Sequence, residues 1–316
     1  LVGVQQTDVV LVVDRQAAHG KPVVTCLMGG ERTAEAEVRL REAGIPNYFD
    51  PSRAVESLDA LTDYGRIQAR TYDDPVRFEV DRDRARTVLE AAVDRGDNRL
   101  GVEAMDLLEA YGIPTPEAAI VDTPAEAVAV ARDLGGPVVM KIVSPDILHK
   151  SDIGGVKVGV SIEAVEDAFE DLVTRARTYQ PDASLLGVQV QEQIELEAGT
   201  ETIVGMNRDP QFGPLLMFGL GGIFVEILED TTFRVAPVSE REATAMTGEI
   251  DAAPLLQGAR GREPVDVGGV VETIQRVSQL VTDFPAILEL DINPLVALPD
   301  HVSAIDVRLT VDQSKL

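Results

Sequence analysis

Between residues 101 and 179, short apolar runs alternate with longer segments of three-to-four period, and the breakers between them fall where helices start and stop. Gly101 to Ala110 predicts a helix broken by Tyr111-Gly112-Ile113-Pro114, and Ala118 to Val121 predicts a strand. Thr123 caps a helix over Pro124 to Leu134. Val138 to Val143 and Val156 to Val160 read as strands, and Ile162 to Tyr179 as a helix. This alternation points to an α/β or α+β chain with helices layered on sheets.

The pattern continues on both sides. Upstream, Asp8 to Val13 and Lys21 to Met28 predict strands, Thr33 to Ala43 a helix ending at Gly44, and Ile45 to Phe49 an extended entry to a helix over Arg53 to Tyr64. That order predicts a parallel sheet, though with too little sheet for a comfortable domain alone. Residues 67–83, with Tyr72-Asp73-Asp74-Pro75, read as a linker before a helix at Arg84 to Arg95. Leu185 to Gln191 is expected to open a second lobe, continued by strands at Thr200 to Met206, Pro214 to Phe218 and Phe233 to Val235. Helices are expected near Glu240 to Thr247 and over Val270 to Phe284. Ile287 to Leu298 and Val302 to Leu309 form a hairpin around Pro299-Asp300-His301, which makes His301 a turn residue; His19, before Gly20-Lys21-Pro22, reads the same way.

Composition narrows the partners. Of 316 residues, 54 are Asp or Glu against 28 Lys or Arg, a formal charge of −26, so neither nucleic acid nor an anionic membrane is an expected partner. A dispersed acidic excess of this size fits a cytoplasmic protein from a high-salt organism. No apolar stretch reaches membrane-spanning length and no signal peptide is apparent. The single cysteine, Cys26, sits in an apolar run and reads as a buried strand thiol.

Against this background, three of the five lysines, Lys141, Lys150 and Lys157, fall within seventeen residues together with His149 and Gly154-Gly155. A compact cationic patch beside a Gly-Gly turn is a candidate phosphate site; a solvated basic loop is the alternative. In Glu289-Leu290-Asp291-Ile292-Asn293, strand period puts Glu289, Asp291 and Asn293 on one face, and the hairpin brings Asp306 close to Asn293. A carboxylate and an amide oxygen are hard ligands suited to Mg²⁺, with nucleotide phosphates completing the shell; a polar outer face of the hairpin is the bland reading. Gly219, Gly221 and Gly222 supply either phosphate-binding N–H groups or a tight strand approach. Glu192, ending a strand at the expected lobe junction, and Glu201 can accept hydrogen bonds from an amine or from ribose hydroxyls. As an ordered set, these groups can clamp ATP from both sides.

At this point the chain resembles the ATP-grasp portion of ADP-forming acyl-CoA synthetases of the acetate–CoA ligase type, and more distantly the nucleotide-binding β-subunit of succinyl-CoA synthetase. The matching stretches are Ser144-Pro145-Asp146-Ile147-Leu148-His149-Lys150-Ser151-Asp152-Ile153-Gly154-Gly155-Val156, Gly205-Met206-Asn207-Arg208-Asp209-Pro210-Gln211-Phe212-Gly213-Pro214, Phe218-Gly219-Leu220-Gly221-Gly222 and Leu290-Asp291-Ile292-Asn293-Pro294-Leu295. The resemblance implies an ATP-grasp fold of two lobes over 84–316, with a lobe boundary near 185, after a linker at 67–83. Residues 1–66 resemble the last part of the family's flavodoxin-like ligase domain. It also implies ATP or ADP with Mg²⁺ as cofactors: Lys141 on the phosphates, Glu192 on the adenine amine, Glu201 at the ribose, and Asn293 with Asp306 on the metal. His149 matches a histidine that carries the phosphoryl group near the nucleotide, with Lys150 able to offset its charge. The family reaction converts acyl-CoA, ADP and phosphate to carboxylic acid, CoA and ATP. The CoA-binding domain and the region with the principal phosphohistidine are missing here, so the expected partners are those domains, in a longer chain or a separate subunit. The rival readings are a non-catalytic ATP-binding regulatory module of a multidomain acyltransferase and a different ATP-grasp carboxylate ligase.

Overall fold

The computed structural model describes residues 20–69, 71, 73–96, 98–147, 150–196, 199–221, 230–259 and 263–315. The chain divides into two compact units, Leu1–Tyr72 and Asp73–Leu316.

In the first unit, β1 (Thr25–Cys26) pairs in parallel with β2 (Asn47–Tyr48). Between them lies α1 (Ala34–Glu42), followed after β2 by α2 (Pro51–Ala69). Leu40 is fully buried, and α1 is closed by Gly44 at φ +72, a left-handed position that favours glycine. The expected parallel pairing holds, but only two residues of the predicted Lys21 to Met28 strand pair, and Cys26 is half-buried rather than enclosed. The predicted Asp8 to Val13 strand and His19 lie outside the described residues. Helix α2 runs five residues past the expected Tyr64, into the predicted linker. Arg66 with Asp63 and Gln68 with Tyr64, at spacings of three and four, bridge the added turn.

The second unit begins with a strap. Phe78 donates its N–H to Gln279 Oε1 at 2.8 Å and accepts from Gln279 Nε2 at 3.1 Å, while the Arg276 guanidinium lies 4.2 Å over the Phe78 ring. Asp81 then caps α3 (Arg82–Asp94) by accepting from Arg84 N. The Asp283 carboxylate, 5% exposed, accepts from Tyr111 Oη at 3.0 Å and faces Arg82 at 3.6 Å. Burial, with that carboxylate beside it, pushes the Tyr111 phenol well above its ordinary pKa.

Two antiparallel sheets follow. After β3 (Arg99–Leu100) and α4 (Glu103–Ala110), the chain forms β4 (Ala118–Val121), α5 (Pro124–Leu134), β5 (Val138–Val143), β6 (Val156–Val160), α6 (Val165–Tyr179) and β7 (Gly187–Glu192). Thr123 and Glu126 make a reciprocal capping box at the start of α5, and Gly135 ends it at φ +77. The sheet order is β4-β7-β5-β6, and a core including Met140, Ile142, Phe169, Leu172, Val188 and Val190 packs it against α5 and α6. This corrects the expectation that Leu185 to Gln191 opens the second lobe. Strand β7 sits inside the first sheet because Val188 and Val190 complete that core; the chain crosses over only after Glu192.

The larger sheet comprises β8 (Thr200–Asp209), β9 (Gly213–Leu220), β10 (Thr231–Val235), β11 (Ile287–Ala297), β12 (Val302–Ala304) and β13 (Val307–Val311), with β3 at its edge. Helices α7 (Glu240–Glu249), α8 (Ala253–Leu256) and α9 (Val267–Asp283) complete this part of the unit. Its core joins Phe218, Val204, Leu290 and Ile292 of the sheet to Leu89 of α3 and Ile274 of α9. Burying each such large side chain contributes about 1.5–3 kcal/mol. The predicted hairpin forms, with His301 exposed in its turn and bonded to Asp300, but its second strand is interrupted at Ile305-Asp306.

Candidate nucleotide site

That interruption builds the site. Asn293 N donates to Asp306 O at 3.1 Å, and Ile305 N donates to Pro294 O at 3.0 Å, so the irregular pair is held against β11 where its pairing with β8 also shifts register. Leu290 and Ile292 are buried in the core, which leaves Glu289, Asp291 and Asn293 on the opposite face, as the strand period requires.

That face meets the face of the first sheet turned away from α5 and α6 across a cleft of about 760 Å³. Lys141 projects into it from β5, Glu192 from the end of β7, Glu201 from β8, and Asn293 and Asp306 from the hairpin. Lys150 joins them from the loop after β5, where Gly155 N donates to Lys150 O at 2.7 Å. A Cβ on Gly155 would come within 2.9 Å of that same oxygen, which is why this turn takes glycine. His149 and Gly222 lie outside the described residues.

Gly219 and Gly221 are not among the groups lining the cleft. A Cβ on Gly219 would stand 2.8 Å from Asp230 O, and one on Gly221 3.0 Å from the backbone of Glu201. Both glycines are accounted for by close strand approach. Gly221 also donates to Glu201 O at 2.7 Å, so it helps set where Glu201 leaves the sheet.

The electrostatics suit a polyanion with a cation. Burial holds the Lys141 ammonium below the ordinary lysine pKa, with Lys150 pushing the same way and Asp306 opposing. Burial also lowers Lys150, against the pull of Asp306 and Glu103. Asp291 is raised by burial and by Asp306, with Arg308, its cross-strand neighbour, acting against both. Two confined ammonium groups gain from an anion that replaces lost water. Among the described residues, no group of three or more His, Cys, Asp or Glu is arranged to hold a metal alone. The Asn293 amide and the Asp306 carboxylate therefore fit a hard cation whose remaining ligands come from phosphate.

Sequence reasoning missed Gln191, Arg308 and Arg99 in this cleft. The alternation Val188-Gln189-Val190-Gln191 did mark Gln191 as facing away from the core, and hairpin register put Arg308 opposite Asp291. No sequence signal singled out Arg99.

Two facing antiparallel sheets with buried lysines on one and Asp291, Asn293 and Asp306 on the other suit an ATP-grasp protein, and residues 91–311 match the ATP-grasp domain family. The chain is 41% identical over 299 residues to acetate–CoA ligase (ADP-forming) I of Archaeoglobus fulgidus, covering 94% of this chain and 43% of that one. It is 47% identical over 227 residues to the β-subunit of acetate–CoA ligase (ADP-forming) I of Pyrococcus furiosus, covering 72% of this chain and 97% of the subunit. A solved structure of the dinucleotide-forming acetyl-coenzyme A synthetase 1 from Ca. Korarchaeum cryptofilum, with coenzyme A and Mg-AMPPCP and its phosphohistidine segment pointing towards the nucleotide binding site, superposes with TM-score 0.64 at 40% identity; the match covers 72% of this chain and 100% of that one. The chain belongs to the ADP-forming acetate–CoA ligase family. It spans less than half the length of the Archaeoglobus relative.

Proposed function

We propose that this chain is the nucleotide-binding half of an ADP-forming acyl-CoA synthetase, which converts acyl-CoA, ADP and phosphate to carboxylic acid, CoA and ATP. The observation that carries this reading is the meeting of Lys141 and Lys150 with Asn293 and Asp306 in one cleft. Lys141 and Lys150 bind the phosphates, Glu192 accepts from the adenine amine, Glu201 holds the ribose, and Asn293 with Asp306 holds Mg²⁺. The metal, when bound, neutralises phosphate charge that builds during transfer. In the ATP-consuming direction an imidazole nitrogen of His149 attacks the γ-phosphorus, the bond to the β-phosphate oxygen breaks, and ADP departs; Lys150 offsets charge on the phosphohistidine. ATP formation is the reverse. The CoA-binding and principal phosphohistidine domains come from a longer chain or a separate subunit, and the acyl-CoA or carboxylate substrate meets those domains rather than this cleft.

Among the described residues no helix is long and apolar enough to cross a membrane. The acidic excess supports a cytoplasm of high salt, and a melting temperature that stays constant as salt is withdrawn would count against that milieu. Incubation with γ-labelled ATP and Mg²⁺, followed by mapping of acid-labile label, tests the assignment. Label on His149 that disappears in His149→Ala and Asn293→Ala is the expected result, and absence of label from the unmodified chain would remove the transfer step. Robust ATP formation from acetyl-CoA, ADP and phosphate without a partner would overturn the need for further domains.

A further inference from the structure

Among the described residues two hydrogen bonds cross the cleft, and both end on one atom. Lys141 Nζ donates to Ile305 O at 3.3 Å, and Gln191 Nε2 donates to the same oxygen at 3.5 Å. Ile305 immediately precedes Asp306, so a carbonyl of the oxygen-bearing hairpin is gripped by two side chains of the opposite sheet. The peptides on either side of this one are held against β11, by Ile305 N on Pro294 O and by Asn293 N on Asp306 O. A carbonyl oxygen has two lone pairs, and here each has a donor.

Gln191 is 1% exposed, and among the described residues its Oε1 has no hydrogen-bond partner. An apolar side chain at that position would avoid burying an unsatisfied oxygen. The amide therefore needs a reason to be there, and its reach to Ile305 O supplies one. The two donors also differ in what a ligand does to them. Lys141 is the group that phosphate recruits, so nucleotide entry draws it off the carbonyl and leaves Gln191 holding the hairpin.

From this geometry we infer that Gln191 is a positioning residue which couples closure of the two sheets to metal affinity, by fixing the Ile305–Asp306 peptide and hence the carboxylate that receives Mg²⁺. The inference rests on the nucleotide reading above. Both contacts are at the long end of hydrogen bonding, and the one from Gln191 is expected to tighten as the sheets close on a ligand while Lys141 turns to the phosphate. Groups that orient a metal ligand are typically worth roughly 10- to 100-fold in metal affinity when removed.

The test is calorimetric titration of the full chain and of Gln191→Leu with ATP, once with Mg²⁺ and once with chelator. The expected result is that Gln191→Leu loses roughly tenfold in Mg·ATP affinity while affinity for metal-free ATP changes less than about twofold. Gln191→Met, which keeps side-chain length, is the second variant and is expected to behave the same way. Thermal melting of both variants is expected at or above the unmodified midpoint, because the unsatisfied oxygen is gone. Equal losses with and without Mg²⁺, or no loss at all, overturn the positioning role. Failure of the unmodified chain to bind any nucleotide overturns the functional reading on which the inference stands, and the two failures are thereby distinct.

Discussion

The two sheets that face each other across the cleft solve opposite electrostatic problems. The four-stranded sheet brings in Lys141, with Lys150 on its following loop, and burial depresses both ammonium groups. The larger sheet contributes Asp291, Asn293 and Asp306, and there burial raises Asp291. Each set is uncomfortable without a ligand, and their discomfort has opposite sign. On the proposed reading neither sheet is a binding site alone: a magnesium–nucleotide complex would bring anionic phosphate to one and a cation to the other.

Removing the cation of the first sheet is the hardest blow to this contrast. Lys141→Met is expected to weaken Mg·ATP binding roughly 100-fold by calorimetry, since it leaves buried phosphate charge without its partner. The same variant is expected to melt about 2 °C higher, because it deletes a desolvated charge. A lower melting temperature would mean that Lys141 stabilises the empty cleft. Gly221→Ala probes the scaffold of the larger sheet. Its Cβ would meet the Glu201 backbone at 3.0 Å, and a loss of about 2 kcal/mol in denaturant unfolding is expected.

A smaller and more selective effect is expected at the oxygen donors. Asp306→Asn is predicted to cost roughly tenfold in affinity for the Mg²⁺ complex and to leave metal-free ATP binding undiminished. Equal loss in both conditions would place Asp306 in general packing. The gentlest test is pH. The folded-state lysine values are lowered, so the native chain binds fewer protons than the unfolded one between those values and the ordinary value of about 10.4; stability contributed by these groups therefore rises with pH across that window. Phosphate binding needs the charged form, so affinity is expected to fall several-fold across the same window. Melting temperature corrected for other groups and calorimetric affinity should thus move in opposite directions.

Much of this arrangement was legible in local signals. Strands β4, β5 and β6 and helix α5 begin and end where the breakers and the Thr123 cap predict, because capping and apolar alternation act over three or four residues. The facing of Asp291 and Asn293 followed from period two alone. Less legible was anything set by distant partners. Strand β7 belongs to the first sheet because of the core that α5 and α6 offer to Val188 and Val190, and nothing within the strand says so. Strand β3 is two residues long and exists through its pairing with β13. The break at Ile305-Asp306 was hidden for the same reason: an apolar run reads as continuous, while the backbone leaves the ladder to meet residues on β11.

The strap also bears on where this molecule can be divided. The family match starts at residue 91, inside α3, and a truncation at that point would discard Ala85 and Leu89, both fully buried, along with the Arg82 that faces Asp283. It would also take Phe78 from Gln279 and Arg276, uncovering a flank of α9. A shorter version for crystallisation or fusion should start by about residue 73, where the compact unit begins, so that helix α9 keeps its cover and the buried carboxylate its counter-ion.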